Sequence, residues 1–561
     1  MSKILITGVC GFIGSYLAKK LIALNHQIVG IDNLSIGSFL NIKEFENHIS
    51  FSFYNINILE NNDLFILFEN YSFDYVFHLA ALPRVSYSFI YPQETFNTNV
   101  HGTKNMVNIS LKFNVKKFVF ASSSSVYGIQ NDTVLRESHV PNPISPYAKQ
   151  KYMAEKYIIK KCKDENFSAI ILRFFNVYGF SYSVMNEFST IVPRCIESLI
   201  NNIGIIIHNG GNQQRDFTYI DDVVNALIRS IEVNSLSFNG TAINVGRGEK
   251  HTINYVFEYI CKQLNKKLQP TYKKLSYNEP NFTCADITKA RRLLKWTPNY
   301  SFEEGVNKTI VDCLNREKIV IAMPLHNGAK TIRRAISSFV NQKNIRRKLI
   351  LVIGNDHSTD EWMKEINDLI TENIIIQNIH GGKSYIVRNK INDYILNNIK
   401  NVSYIGRLDA DDELADEFII SKLEKIMDEI RPDVILAGNY IRTRNKIIKR
   451  VNIADKSLLD ISCLLGRLRK MSLCVPEAEL PSCNTFIKPE CMITYPPEES
   501  AEDHWFTVEL ILKSNVLKIH VAENLLYSIY SLSGNLTELN KEKDKYINSR
   551  KKLYEYLRDK I

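Results

Sequence analysis

Several kinds of protein are excluded by what this 561-residue chain lacks. Its ten cysteines (Cys10, Cys162, Cys195, Cys261, Cys284, Cys313, Cys463, Cys474, Cys483 and Cys491) include no Cys-x-x-Cys pair and no histidine at finger spacing. Neither a zinc site nor a disulfide scaffold is indicated, and ordinary buried thiols are expected. With only 23 Gly and 16 Pro there is no room for a long disordered or collagen-like region. No apolar run reaches the ~20 residues of a membrane span, and the apolar start Ile4-Leu5-Ile6 stops at Thr7-Gly8, too soon for a signal peptide. A cytoplasmic location is the expectation. Charge of one sign is also scarce, because 70 Lys and Arg face 60 acidic residues and the net +10 is spread over the whole chain. No basic stripe marks a nucleic-acid partner.

What is present is a globular composition, 45% hydrophobic, in a chain too long for one core. Short β-branched or aliphatic runs (Ile4–Thr7, Gln27–Ile31, Tyr75–Leu79, Lys117–Ala121, Ala169–Arg173) alternate with longer amphipathic stretches. That is the arithmetic of βαβ units and a parallel sheet covered on both faces. A charged stretch, Arg316-Glu317-Lys318, precedes a fresh strand at Ile319–Pro324, and alternation resumes through Lys348–Ile353, Asn373–Gln377 and Val402–Leu408. Two α/β domains are expected, 1–316 and 317–561. The last forty residues, rich in Lys and Arg among Tyr546, Leu553, Tyr554 and Leu557, read as an amphipathic basic helix. A solvated helix face and peripheral contact with an anionic membrane surface are both open for it.

Gly8-Val9-Cys10-Gly11-Phe12-Ile13-Gly14 follows the first strand and opens the first helix, where a tight turn lets backbone approach a pyrophosphate. Asp32, at the end of the second strand, can accept from ribose hydroxyls and would repel the extra phosphate of NADP, so NAD is preferred. Lys151 stands one helical turn after Tyr147, where an ammonium would lower the phenol's pKa toward that of a working base. Ser123, in the run Ser122–Ser125, can reach the same substrate hydroxyl. With His78-Leu79-Ala80-Ala81, Asn99, Arg173-Phe174-Phe175-Asn176, Arg215-Asp216-Phe217 and Ala285-Asp286 in order, residues 1 to about 312 resemble an extended short-chain dehydrogenase/reductase of the nucleotide-sugar epimerase and dehydratase family.

That resemblance implies a Rossmann-type doubly wound parallel sheet with a small substrate-binding lobe. It implies cofactor contacts from Gly8, Gly11, Phe12, Ile13, Gly14, Asp32, Asn33, Asn57, Ile58, Leu79, Ala80, Ala81, Asn99, Tyr147 and Lys151. It implies substrate contacts from Ser123, Asn176, Arg215 and Thr283, with Ser123, Tyr147 and Lys151 catalytic. Where the family's 4,6-dehydratases carry Asp-Glu, this chain has Ser124 and Ser125, and its decarboxylases carry Glu at the second of these positions, so 4-epimerisation is the expected chemistry. Members that reject N-acetyl sugars carry a bulky Tyr where this chain has Thr283, so a 2-acetamido group is expected to fit. Two departures concern the nucleotides: the family's diphosphate-clamping Arg is Ser276, leaving Lys273 or Lys274 to cover part of the charge, and its adenine-contacting Asp is Asn57.

In the second half, Asp409-Ala410-Asp411-Asp412 follows a strand, and carboxylates at a strand end can hold a hard divalent cation against a diphosphate. With Pro324-Leu325-His326-Asn327-Gly328, Asn355-Asp356-His357-Ser358, Arg388-Asn389 and Glu502-Asp503-His504-Trp505, residues 318 to about 530 resemble family 2 glycosyltransferases of the GT-A fold. The resemblance implies that Asp356, Arg388 and Asp409 bind the donor, that Asp411 holds Mg or Mn, and that Asp503 is the base of an inverting transfer. His357 replaces a glycine of the family's motif that calls for positive φ, which points to a modified donor pocket or to a domain that has lost activity.

The joint expectation is a bifunctional enzyme, a UDP-GlcNAc/UDP-GalNAc or UDP-Glc/UDP-Gal 4-epimerase fused to an inverting, metal-dependent glycosyltransferase in surface polysaccharide or glycoconjugate biosynthesis. Its partners would be nucleotide sugars and a glycan or glycolipid acceptor, at the inner face of the membrane, with a homodimer implied by resemblance. The alternative is a nucleotide-sugar reductase or other-position epimerase whose second domain is a silent sugar-binding scaffold.

Overall fold

Alternation of side chains along each strand decides how this chain layers. In the first strand Ile4 and Ile6 join one hydrophobic core while Leu5 joins another, so both sheet faces are buried. The computed structural model describes residues 1–182, 190–200, 204–233, 240–275, 279–442, 448–473, 484–498, 502–531 and 545–560, which divide into two compact units, Met1–Leu314 and Asn315–Ile561. No disulfide joins the described cysteines; Cys474 and Cys483 lie outside the described residues.

The first unit is built on a seven-stranded parallel sheet. Its strands are β1 (Lys3–Thr7), β2 (Gln27–Asp32), β3 (Phe51–Asn55), β4 (Tyr75–His78), β5 (Lys117–Ser123), β6 (Ala169–Phe174) and β7 (Thr241–Val245). The order is β7-β6-β5-β4-β1-β2-β3, with β1 pairing β2 and β4 in parallel, so the winding reverses between β1 and β4. Such a switch point opens a crevice at the carboxyl ends of the strands, where the glycine loop, Ala80 and Ser123 all lie. Phe118 and Phe120 of β5 are fully buried, each worth about 1.5–3 kcal/mol relative to exposure. Helix α1 (Phe12–Ala23) follows the glycine loop, and the short helix α2 (Val85–Ile90) follows β4. Helix α3 (Pro146–Asp164) starts with Pro146 in its first turn and Ser145 as cap, the Ser145 hydroxyl accepting from Ala148 N–H at 3.2 Å. That start sets Tyr147 and Lys151 on one face, four residues apart.

The second unit has nine strands among the described residues. Lys318–Leu325, Lys348–Asn355, Ile374–Asn378 and Val402–Arg407 are parallel. Thr485–Ile487 pairs antiparallel with Val402–Arg407 and with Val434–Arg442, which itself pairs parallel with Ile519–Ser531. Alternation again feeds two cores: Ile319, Ile321 and Met323 enter one, Val320 and Ala322 the other.

The tail departs from expectation. Ile519–Ser531 is a strand, because its aliphatic alternation is taken up by pairing with Val434–Arg442, and the described helix of the tail is Lys545–Lys560. Leu553 and Leu557 of that helix are fully buried in the core shared with Leu464 and Leu468 of Ile461–Ser472. The apolar face offered to a membrane surface is thus spent inside the unit, and no helix among the described residues is long and apolar enough to cross a membrane.

Candidate active sites

At the switch point lies a cleft of about 620 Å³. Every cofactor or substrate residue expected in the first half lines it except Asn99: Gly8, Gly11, Phe12, Ile13, Gly14, Asp32, Asn33, Asn57, Ile58, Leu79, Ala80, Ala81, Ser123, Tyr147, Lys151, Asn176, Arg215 and Thr283. Gly8 has φ of 73°, and a Cβ on Gly14 would stand 2.2 Å from the Gly8 carbonyl, so both positions demand glycine. The cap residue of α1 is Gly11, which has no side chain to satisfy the helix's amide end, and the first turn has no acidic residue. An anion fits there. Asp32 fixes the loop by accepting from Cys10 N–H at 3.0 Å and Leu34 N–H at 2.8 Å. Its burial raises the carboxyl pKa, opposed by these backbone hydrogen bonds. Asn57 turns its chain locally, its side-chain oxygen accepting from Leu59 N–H at 3.1 Å.

Asn99 does not line the cleft. It is buried in a π-helical turn, Asn97–Gly102, accepts from Leu82 N–H at 2.8 Å and donates to the Leu82 carbonyl and to Gln150 Oε1. Asn99 therefore holds the loop after β4 in place. His78 is also structural: its ring sits between the hydroxyls of Thr7 (2.8 Å) and Thr103 (3.0 Å), and burial pushes its pKa down to about 3, so it stays neutral.

Lys151, one helical turn from Tyr147, has a backbone partner of its own. Lys151 Nζ donates to the Ala121 carbonyl at 2.8 Å and lies over the Phe120 ring, and its own pKa is brought down to about 8 by burial, against the attraction of Glu155. Burial pushes the Tyr147 phenol up to about 12, and what pulls it back is a hydrogen bond with Ser123 and the charge of Arg84. Ser125 Oγ donates to Ser123 Oγ at 3.0 Å, which leaves the Ser123 proton free to point at the phenol or a substrate oxygen. Beneath, Glu155 binds Arg173 at 2.6 and 2.9 Å and accepts from Ser122, locking α3 to β5 and β6.

On the substrate side, Arg215 pairs with Glu279 at 3.0 Å. Ser276 lies outside the described residues, and neither Lys273 nor Lys274 lines the cleft. Asp216 accepts from Arg247, Gly248 and Ala285 N–H at 2.7, 2.9 and 2.9 Å, and its pKa is nevertheless pushed up to about 7 by burial. Thr283 Oγ1 is buried with no hydrogen-bond partner among the described residues. Arg84 was not legible in the sequence as a site residue.

In the second unit, Asp356, Arg388, Asp409 and Asp411 are gathered near the ends of the parallel strands, with Asp503 in the first turn of Glu502–Ile511. Asp356 accepts from Gly381 N–H at 2.9 Å and from Gly382 N–H at 3.0 and 3.2 Å. Burial would raise its pKa, but these bonds and His357 outweigh it and lower it. His357 has φ of 53°, as expected at a glycine position, and its ring packs on His380 with centroids 4.2 Å apart. Arg388 spans Asp409 (3.1 Å), Glu502 (3.3 Å) and Asp503 (3.6 Å). Arg407, which sequence reasoning missed, joins Asp409 at 3.2 Å and Asp503 at closer range. It stands two residues before Asp409, on the same strand-end face, and that spacing was the available signal. Burial alone would raise Asp503, yet Arg388 and Arg407 hold it far below the ordinary carboxylate range. Asp409, Asp411 and Asp412 bring oxygens within 4.8 Å of one another. Burial and the charge of Asp409 push Asp411 up to about 6, the electrostatic mark of carboxylates crowded enough to suit a divalent cation.

The NAD dependent epimerase/dehydratase family model matches residues 4–246, and the glycosyl transferase family 2 model matches residues 320–469. A UDP-glucuronate 4-epimerase of Thermodesulfobacterium geofontis is 33% identical over 316 residues, covering 55% of this chain and 95% of the relative. Among solved structures, UDP-glucose 4-epimerase of Thermotoga maritima with UDP-glucose is 31% identical with a TM-score of 0.52, covering 55% of this chain and 97% of that one. UDP-glucuronic acid 4-epimerase from Bacillus cereus, in complex with UDP-glucuronic acid and NAD, is 31% identical with a TM-score of 0.52, covering 55% of this chain and 98% of that one.

Proposed function

The chain belongs to the NAD dependent epimerase/dehydratase family through its first unit and carries a glycosyl transferase family 2 match in its second, and from that premise we propose a bifunctional enzyme. The first unit is a nucleotide-sugar 4-epimerase; the second is an inverting, metal-dependent glycosyltransferase acting on a glycan or glycolipid acceptor. The observation that carries the first half is the meeting of Ser123, Tyr147 and Lys151 in the cleft that also holds the glycine loop, with hydroxyls rather than carboxyls at positions 124 and 125. Bound NAD supplies a hydride acceptor that later returns the same hydride.

Tyr147 acts as its phenolate, which the Ser123 hydrogen bond, the Arg84 charge and the positive charge that a bound nicotinamide would bring favour against burial: it takes the proton of the sugar's 4-hydroxyl as the C4 hydride leaves, giving a 4-keto sugar, and gives the proton back when the hydride returns to the other face. Ser123 orients the oxygen. Lys151 keeps a positive charge beneath the reacting groups only while it holds its proton, near and below about pH 8. Ser124 and Ser125 cannot supply the acid and base that elimination of water across carbons 5 and 6 requires. Neutral UDP-hexoses and their 2-acetamido counterparts are the sugars for which Thr283 leaves room.

In the second unit Asp411, with Asp409 and Asp412 beside it, would hold Mg or Mn, which supplies charge to the departing diphosphate. Asp503 would deprotonate the acceptor. Its proton affinity is suppressed by Arg388 and Arg407, so it serves as base when those charges are drawn elsewhere, and the donor's diphosphate is the anion available to do so.

The test is NMR of the anomeric signals after adding UDP-sugars to the purified protein without acceptor or added cofactor. Appearance of the C4 epimer, abolished by Tyr147→Phe, supports the reading; stoichiometric consumption of added NADH would instead support a reductase. For the second unit, Mn²⁺-dependent sugar transfer lost in Asp411→Asn is expected, and transfer indifferent to that change rejects the metal role.

A further inference from the structure

Arg84 precedes α2, and its carbonyl accepts from Ser88 N–H at 3.0 Å. The Ser88 hydroxyl in turn accepts from Tyr147 N–H at 3.1 Å, so the backbone that carries the guanidinium is tied to the backbone that carries the phenol. The Arg84 side chain is half-buried and lines the cleft beside Tyr147. Among the described residues no carboxylate pairs with it. The cleft's other arginine, Arg215, has Glu279, and the buried Arg173 and Arg347 each face carboxylates. Taking a guanidinium out of water beside a catalytic group is costly unless an anion meets it there.

We infer that Arg84 receives a carboxylate carried by the sugar itself, so that the first unit acts on a nucleotide-linked hexuronate. This rests on the 4-epimerase reading and revises its neutral sugars. Two other anions belong in such a cleft, but each has its own receptor: the amide end of α1 for the cofactor's pyrophosphate, and Arg215, once released from Glu279, for the substrate's diphosphate. Position separates them too. Tyr147 must touch the oxygen on carbon 4. A uronate's carboxylate hangs from the adjacent carbon 5, whereas the diphosphate hangs from carbon 1 across the ring. A cation tied to the neighbour of Tyr147 is placed for the former, and a planar guanidinium matches a carboxylate with two parallel hydrogen bonds.

The test compares kcat/KM of the full-length protein for UDP-glucuronate, UDP-glucose and UDP-N-acetylglucosamine in wild type, Arg84→Gln and Arg84→Lys. Wild type is expected to favour the uronate by about 100-fold, Arg84→Gln to erase that preference by losing uronate turnover far more than neutral-sugar turnover, and Arg84→Lys to restore part of it. Equal turnover of all three sugars by wild type overturns the assignment. So does a uniform loss in Arg84→Gln with a displaced pH profile, which would make Arg84 a modulator of Tyr147 alone. A turnover-free arm uses Tyr147→Phe: UDP-glucuronate should bind more tightly than UDP-glucose, and adding Arg84→Gln should remove the difference. Epimerisation of neutral sugars without uronate preference sinks only this inference; absence of C4 epimerisation with any sugar sinks the 4-epimerase reading beneath it.

Discussion

In the first unit the groups around the cleft are left with capacity to spare: among the described residues Thr283 Oγ1 has no partner and no carboxylate pairs with Arg84. In the second unit the corresponding charges already answer one another, Asp409 and Asp503 being met by both Arg388 and Arg407. The first arrangement is a preformed receptacle, in which binding replaces solvent. The second is a self-neutralised cluster, in which a ligand must displace an existing partner, so part of its binding energy goes into rearrangement.

Four experiments bear on that contrast. Tyr147→Phe should cost at least about 10³-fold in epimerisation while leaving sugar transfer unchanged, as read by NMR on the same sample; coupled losses would mean that the sites are not independent. Arg407→Met leaves Asp409 and Asp503 to Arg388 alone and should cost the second unit about 1.5–3 kcal/mol in urea unfolding, followed by Trp362 and Trp505 fluorescence. An unchanged midpoint would show the cluster to be loosely held. The third is pH. Lys151 titrates near 8 in the folded protein, below an ordinary lysine, so between there and about pH 10.4 the unfolded chain holds a proton that the folded chain has lost. Stability should therefore rise with pH through that window as the epimerisation rate falls, and Lys151→Met should abolish the stability gain. The smallest effect is expected from His357→Gly, which relieves the left-handed backbone but removes the His380 contact, for a net change within about 1 kcal/mol by thermal unfolding.

Much of this was readable beforehand because it is local. Strand alternation located the parallel strands, and the glycine loop, Asp32 and the Tyr147–Lys151 pair follow from turns and helical spacing. What escaped depends on distant neighbours. Arg407 meets Asp503 across 96 residues of chain, and Arg84 gains its meaning only from the fold that ties it to Tyr147. Lys151 was read from spacing as the phenol's partner, but spacing could not reveal the Ala121 carbonyl that claims it. Asn99 carried the right residue type yet is spent on Leu82 and Gln150. The strand at Ile519–Ser531 was hidden inside a tail whose composition favoured helix, because pairing with Val434–Arg442 overrides local preference.

The chain around Thr283 is pinned at three points: Thr283 N–H donates to the Gln214 carbonyl at 3.0 Å, Leu135 N–H to the Cys284 carbonyl at 2.7 Å, and Ala285 N–H to Asp216 at 2.9 Å. Every donor here is a backbone N–H, and none of these bonds is made by the Thr283 side chain. Position 283 is thus a slot whose occupant can be exchanged by mutation without loosening the scaffold that holds it. A lineage could drift from one sugar to another there in single steps, each nearly neutral for folding.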